Sequence, residues 1–376
     1  MPDQATELAK LASQFRDLRL SEFTQLPLYE HLCELFEASP QLLTLLQQAP
    51  AGQRRPVLAL AAINQLVHDH PTSDLAQYFR STRGQTLATL DLSLVADALA
   101  DLVTRQQIEF VEIMRSNSIQ TNEVNRSVLW KLASHALGAE LGPIDVAFVE
   151  LGASAGLNMF FDDYSYDFEH CDPPQRSNVA CRCSLAGAEG LLDHAPVRVT
   201  DRLGLDIAPV NLADPVKRSW LRSCVWPEQV ERLQRFDAAI EHLLRQTMSL
   251  ERADITVDLG TALGQVRSPG HLMVVNSWVL TYLRKDLRRR VIDSLDEIGR
   301  HRDLTWFCAE PSGALPIFEV SSEQYQQAGG LSSFGLDTPS HTVVGCRRYR
   351  NGEATDSIVA FCHAHLHWCH WLEPRS

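Results

Sequence analysis

The chain has 376 residues, 45% of them hydrophobic and 22% charged, and a formal charge of −13. That length exceeds what one compact core usually holds and predicts two domains, or one domain with a large extension. The acidic balance makes nucleic acid an unlikely partner, because a phosphate backbone needs clustered basic surface, and no stretch reaches the roughly 18 uninterrupted apolar residues of a membrane span.

Residues 1 to about 140 read as helices. "ATELAKLASQFRDL" puts Leu8, Leu11 and Phe15 at helical spacing. Pro27, Pro40 and Pro56 each stand where a helix can begin, since a first-turn proline forfeits no hydrogen bond. Asp91 or Ser93 can cap a long segment whose apolar stripe is Val95, Leu99, Leu102, Phe110 and Ile113. No β-branched alternation interrupts this half.

After Pro143 the texture changes. Short apolar runs alternate with amphipathic stretches: "VAFVEL" (146–151), "RLGLDIAP" (202–209), "DITVDL" (254–259), "HLMVVNSW" (271–278) and "LTWFCAEP" (304–311). Strand–helix alternation predicts a parallel sheet with helical crossovers. "TVVGCRRY" (342–349) and "SIVAFCHAHLHW" (357–368) are joined by too short a link for a crossover, so they predict an antiparallel hairpin. Five parallel strands and a hairpin make a doubly wound, mostly parallel, seven-stranded α/β sheet, Rossmann-like and methyltransferase-like. It spans 141–376 behind a helical N-terminal domain of 1–140. "SNVACRCSLAG" (177–187) does not fit and reads as an extra strand or hairpin in an inserted segment at about 162–200.

Nine cysteines, an odd number, read as reduced thiols rather than a disulfide framework, and the N-terminus lacks the charged–apolar–small order of a signal peptide. A cytoplasmic protein is expected.

"VELGASAGLN" (149–158) carries the chemistry, and it supports two readings. Gly152-Ala153-Ser154-Ala155-Gly156 spells the G-x-S-x-G of a serine nucleophile elbow. His341, His363 or His365 could complete a triad, although an elbow expects several strands before it. The same residues also suit a nucleoside ligand: Gly152 and Gly156 let backbone approach it, and a following helix start would offer unpaired N–H groups. Ser154 stands where a pyrophosphate would require glycine, which favours S-adenosylmethionine over a dinucleotide. Glu150 would then help hold the donor's ammonium, Asp206 the ribose diol, and Asp258 the adenine edge. As a turn or cap acid, Asp206 would have no such role. The 50 residues between Gly156 and Asp206, against roughly 20 in a minimal unit, fall to the inserted segment.

These stretches, with "QTNEVNRS" (120–127), "GLDIAPV" (204–210), "VWPEQVERL" (225–233) and "NSWVLTYL" (276–283), resemble an uncharacterised bacterial family, domain of unknown function 2332, over nearly the whole chain. The resemblance implies a methyltransferase-like domain behind a helical region and supplies no reaction.

Asn276 and Ser277 would either face the donor's methyl group or cap a helix starting near Trp278. Glu310, ending the fifth strand, is expected in the cleft. Gln120, Asn122, Glu123 and Arg126 could form a lid or a clamp on the donor carboxylate, with Arg126 as a bidentate fork, or an interdomain joint. Asn276, Glu310 or Glu123 could orient or deprotonate a small or peptidic acceptor. His363, His365 and His367 would share one face of a strand, and a half-buried edge suits them better than a metal. Cys181 and Cys183, with Cys171 nearby, have weaker spacing still. "DDYSYDFEH" (162–170) reads as a recognition rim or as a solvated loop anchored by Tyr164 and Tyr166. The expected activity is methyl transfer; a serine hydrolase using Ser154 and a non-catalytic ligand-binding protein of the same fold are the alternatives.

Overall fold

Pro27, Pro40 and Pro56 each open a helix in the computed structural model, which describes residues 4–83, 91–120, 122–168, 177–188, 190–266, 270–321 and 341–372. The first helices are α1 (Gln4–Glu22), α2 (Pro27–Ala38), α3 (Pro40–Leu46), α4 (Pro56–Asp69), α5 (Arg80–Arg83), α6 (Leu92–Arg105) and α7 (Gln107–Ser116). After them come α8 (Ser127–Leu141), α9 (Pro215–Ser223), α10 (Val230–Leu243), α11 (Leu259–Gln265) and α12 (Lys285–Gly299). The strands are β1 (Asp145–Leu151), β2 (Ser165–Phe168), β3 (Ala180–Ala186), β4 (Arg198–Asp206), β5 (Ser249–Arg252), β6 (His271–Ser277), β7 (Leu304–Pro311), β8 (Thr342–Arg350), β9 (Glu353–Cys362) and β10 (Trp368–Trp371). No described helix is long and apolar enough to cross a membrane.

Two compact units result. One comprises Met1–Asn122 with Leu212–Asp237, and the other Glu123–Asn211 with Ala238–Ser376. In the helical unit α4 is buried from Leu58 to Val67, a largely apolar helix whose two polar residues there, Asn64 and Gln65, are both hydrogen-bonded. The 212–237 segment is fastened to it: Asn64 Nδ2 donates to the carbonyls of Ser223 and Val225 at 3.0 and 3.2 Å. Leu26 cannot cap α2. The Glu228 carboxylate does so, accepting from the N–H groups of Leu28 and Tyr29 at 3.1 and 3.0 Å, which are otherwise orphaned in a first helical turn. The sequence placed α8 with the helical half; it belongs to the sheet unit.

The sheet corrects the seven-strand expectation. It has ten strands in the order β2-β3-β10-β9-β8-β7-β6-β1-β4-β5. The run β5-β4-β1-β6-β7 is parallel, as the sequence implied, and β7-β8-β9 adds the antiparallel hairpin. Then β10 covers β9, and β3 and β2 from the inserted segment continue beyond it. The physical reason is the open edge: β9 alone would present unpaired backbone groups, and the inserted segment and the tail supply strands to pair them.

Two further expectations change. "DITVDL" is not a strand; β5 lies just before it. Asp254 accepts from Thr256 N–H and Oγ1, and Asp258 accepts from Asp254 N–H, all within 3 Å. These local bonds hold 254–258 in turns rather than a ladder. The terminal apolar run also breaks at Cys362, so His363, His365 and His367 lie in the loop leading to β10 and not on a strand face.

After β1 the chain forms β2 and β3 at the far edge, comes back to β4 and β5 on one side of β1, and then passes β1 to β6 and β7 on the other. The strand order therefore reverses between β1 and β6, where an open α/β sheet leaves a crevice beyond its carboxyl ends.

Candidate functional site

β1 is buried on both faces, and an apolar run is what such a strand needs. Glu150 is its exception, a carboxylate 5% exposed near the strand's carboxyl end, with Oε2 buried and without a hydrogen-bond partner. Burial raises this carboxyl to about 8, and the Asp206 charge adds to the rise; Trp130, Arg126 and Asn158 act against it. Trp130 and Asn158 approach the carboxyl closely enough to favour its charged form, although Trp130 Nε1 and Asn158 Oδ1 complete no hydrogen bond of full geometry. Poorly paired buried polar groups are costly, and here the Glu150 carboxylate, Trp130 and Asn158 lie together at one strand end.

Beyond Glu150 the chain turns at Gly152 (φ 72°), Ser154 (φ 53°) and Gly156 (φ 77°). The helix expected after the glycines does not form; residues 154–160 are a succession of turns. Asp206, ending β4, ties this bend: Oδ2 accepts from Ser154 N–H and Oδ1 from Ala208 N–H, each at 2.8 Å. The Ser154 carbonyl in turn accepts from Val210 N–H at 3.0 Å. Protein already covers the glycines. A Cβ on Gly152 would overlap the Val279 side chain, and one on Gly156 would meet Met248 Sδ at 2.7 Å.

Glu123 and Arg126 adjoin the same end of the sheet. Glu123, 2% exposed, accepts from Asn125 N–H at 3.1 Å through Oε1, and its Oε2 lies 3.1 Å from His365 Nδ1. Its carbonyl accepts from Asn158 Nδ2 at 3.3 Å. Arg126 donates from Nε to the Ala364 carbonyl at 3.1 Å and from Nη1 to the Ser277 carbonyl at 3.4 Å, and its guanidinium lies 5.8 Å from the Trp278 ring centre. Trp278 (φ 54°) and Leu366 (φ 54°) share with Ser154 a left-handed backbone that side chains rarely adopt. Such strain persists where the surroundings over-determine it, commonly at functional sites. The fourth such residue, Asn351, sits in the hairpin turn beside Gly352.

The other sequence candidates lie elsewhere or are committed. Asn276 is fully buried; Nδ2 donates to Glu310 Oε1 at 2.8 Å and Oδ1 accepts from Trp306 Nε1 at 2.7 Å. Glu310, its carboxyl raised by burial, accepts from the N–H groups of Val279, Leu280 and Thr281 at 2.9 to 3.0 Å. It therefore caps the 3₁₀ turn at Leu280–Tyr282 and does not line a cleft; Ser277 has no part in that cap. Asp258 is exposed at the start of α11. Asn122 Nδ2 donates to the Gln120 carbonyl at 3.4 Å. Tyr164 and Tyr166 are anchors, their hydroxyls donating to the Leu157 and Phe161 carbonyls at 2.5 Å. Cys171, Glu169 and His170 lie outside the described residues. The His363 and His367 rings stack at 4.3 Å, and among the described residues no group of three metal-binding side chains is arranged to hold an ion.

Sequence reasoning missed Asn158, the last residue of "VELGASAGLN", and Trp130, which no pattern marks, as well as the pairing of His365 with Glu123, which lies 242 residues away.

The comparison with known families gives one match. A family described as an uncharacterised protein conserved in bacteria, DUF2332, covers residues 12–371. No curated protein matches the chain.

Proposed function

We propose that this chain, which belongs to the uncharacterised bacterial family DUF2332, binds S-adenosylmethionine beyond the ends of β1 and β4 and transfers its methyl group to a small or peptidic acceptor. The observation that carries the reading is the buried Glu150 carboxylate with an unmatched oxygen. An acid in that position calls for a cationic hydrogen-bond donor, and the ammonium of the methionine moiety is one.

Asp206 uses one site on each oxygen for the bend. A carboxylate has about four acceptor positions, so ribose hydroxyls can still be received there. Arg126 is the candidate for the donor's carboxylate. The covered faces of Gly152 and Gly156 limit the fit, so the ligand has to approach along Glu150 and Asp206 without pressing on those α-carbons. Bound there, the donor would supply an electrophilic methyl carbon; the protein's share is alignment and exclusion of water. Of the three residues considered for acceptor activation, Glu123 remains, because Glu310 is consumed in capping and Asn276 in its bonds to Glu310 and Trp306. No disulfide joins any two of the eight described cysteines, which favours a reducing, cytoplasmic compartment.

The left-handed Ser154 favours a second reading, the nucleophile elbow. That motif joins a strand to a helix and follows earlier strands; here turns follow Ser154, and no described strand precedes β1. The commitment of Asn276 and Glu310 favours a third, a binding protein without turnover. Equilibrium dialysis with labelled S-adenosylmethionine, on the natural chain and Asp206→Ala, tests the proposal. Saturable binding that Asp206→Ala weakens supports it; labelling of Ser154 by a fluorophosphonate, without donor binding, replaces it with a hydrolase. Binding with no transfer to any acceptor leaves the binding protein without turnover.

A further inference from the structure

We propose that this chain pairs with a second copy of itself through the groove between α11 and α12, about a twofold axis that passes beside Ser294. The pairing does not depend on what binds beyond β1.

α11 buries Leu259, Ala262 and Leu263, and α12 buries Val291, Ile292 and Leu295, in one core with the strands. Between their outer sides runs a groove of about 710 Å³, with Leu263 and Ile298 supplying its apolar lining. Its α11 wall carries Gly260 and Gly264, one turn apart on one face. Glycine inside a helix is destabilising relative to alanine, and in the other helices of this unit close packing accounts for it. A Cβ on Gly138 would overlap the Ala195 carbonyl, and one on Gly299 the Tyr349 ring. A Cβ on Gly260 or Gly264 would meet nothing within 4 Å. The bare wall serves no contact among the described residues, and it leaves width for a helix from outside.

Charge selects that helix. The outer face of α12 presents Arg290, then Asp293 and Ser294, then Glu297, at the spacing of successive turns. Arg290 is exposed, and no described side chain pairs with it. Glu297, 61% exposed, pairs with Arg300 and, at 3.6 Å, with His301 from its own helix, contacts worth little at a surface. Positive charge thus precedes Ser294 and negative charge follows it. Turned end for end about Ser294, a second α12 sets its Glu297 against this Arg290 and its Arg290 against this Glu297, so one axis makes both pairs. Asp293, nearest the axis, is already paired with Arg289 at 2.9 Å. A parallel second helix would instead oppose Arg290 to Arg290, which like charges forbid. In the antiparallel arrangement each α12 lies along the other copy's glycine wall, so one patch is ridge and groove at once. Two short helices per copy make a small interface, and the dimer should be a weak one that dissociates on dilution.

Sedimentation velocity of the full chain over a wide concentration range tests this. A species of twice the chain's mass should grow in as concentration rises, and added salt should diminish it. The axis doubles every substitution, so Arg290→Glu should weaken association by roughly 100-fold, and adding Glu297→Arg to it should restore the dimer. Gly264→Leu should abolish the dimer with no change of charge, its fold checked by circular dichroism. Ser294→Cys should cross-link to its own copy in oxidised glutathione, beyond what the natural chain does. A natural chain that stays monomeric up to its solubility limit overturns the inference and leaves the groove to a different partner. A dimer indifferent to both Arg290→Glu and Gly264→Leu overturns it as well, because that dimer is built on another face.

Discussion

Replacing Glu150 with glutamine should stabilise the protein, and by an amount that grows with pH. Burial raises the carboxyl from its ordinary 4.5 to about 8. Between those values the folded chain keeps a proton that the unfolded chain has released, so stability falls as pH rises through the window and levels off above it. At 1.36 kcal/mol per unit the full span is worth about 5 kcal/mol. Glutamine resembles the protonated acid and does not titrate. Glu150→Gln should therefore match the natural chain near pH 4.5, lead it by about 3 kcal/mol at pH 7, and reach its full advantage above pH 8. Guanidinium unfolding of both proteins in parallel at pH 5, 6, 7 and 8 measures the difference, with all other titrating groups cancelling. The transition that includes the sheet unit should be the one followed, since two units need not unfold together. A difference that stays flat with pH, or a natural chain more stable than the variant at pH 8, would refute the assignment of a destabilised acid.

His363 should act in the opposite direction. Its value of about 4 lies below the ordinary 6.5, so stability is lost as pH falls from 6.5 to 4, by about 3 kcal/mol; His363→Gln should flatten that acid limb in the same titration. Glu310→Ala leaves three backbone N–H groups without their acceptor and should cost about 3–5 kcal/mol in denaturant unfolding; a stable variant that merely lacked transfer activity would make Glu310 catalytic after all. Gly152→Ala forces a side chain into a left-handed backbone and into Val279. It should lower stability by about 1–3 kcal/mol, and Val279→Ala in the same chain should recover part of the loss.

The sequence made much of the frame legible. Helix starts at Pro27, Pro40 and Pro56 follow from the missing N–H of proline. β1, β6 and β7 were visible because strands buried on both faces must be apolar throughout. The sheet's far edge was not visible, since β10 and β2 have only four residues each and pair with partners distant in the chain. "DITVDL" misled because Ile255 and Val257 alternate as in a strand; Val257 is 70% exposed, and the Asp254 and Asp258 side chains bind the local backbone instead. At the site, the run from Glu150 to Gly156 announced itself through glycine and acid. The commitment of Asn276 and Glu310 did not, because neither a side-chain bond between neighbouring strands nor a carboxylate bonded to backbone N–H groups leaves a pattern in residue type. Nor could spacing pair Glu123 with His365 across the whole domain.

The central claim, that Glu150 awaits an ammonium group, is tested most directly by calorimetric titration with S-adenosylmethionine at pH 7 in two buffers of different ionisation enthalpy. A cation that pairs with Glu150 must drive off the proton the carboxyl holds below pH 8, so the account predicts release of about one proton per ligand bound, absent in Glu150→Gln. Binding with no buffer dependence, or binding that Glu150→Gln leaves unchanged, would contradict it.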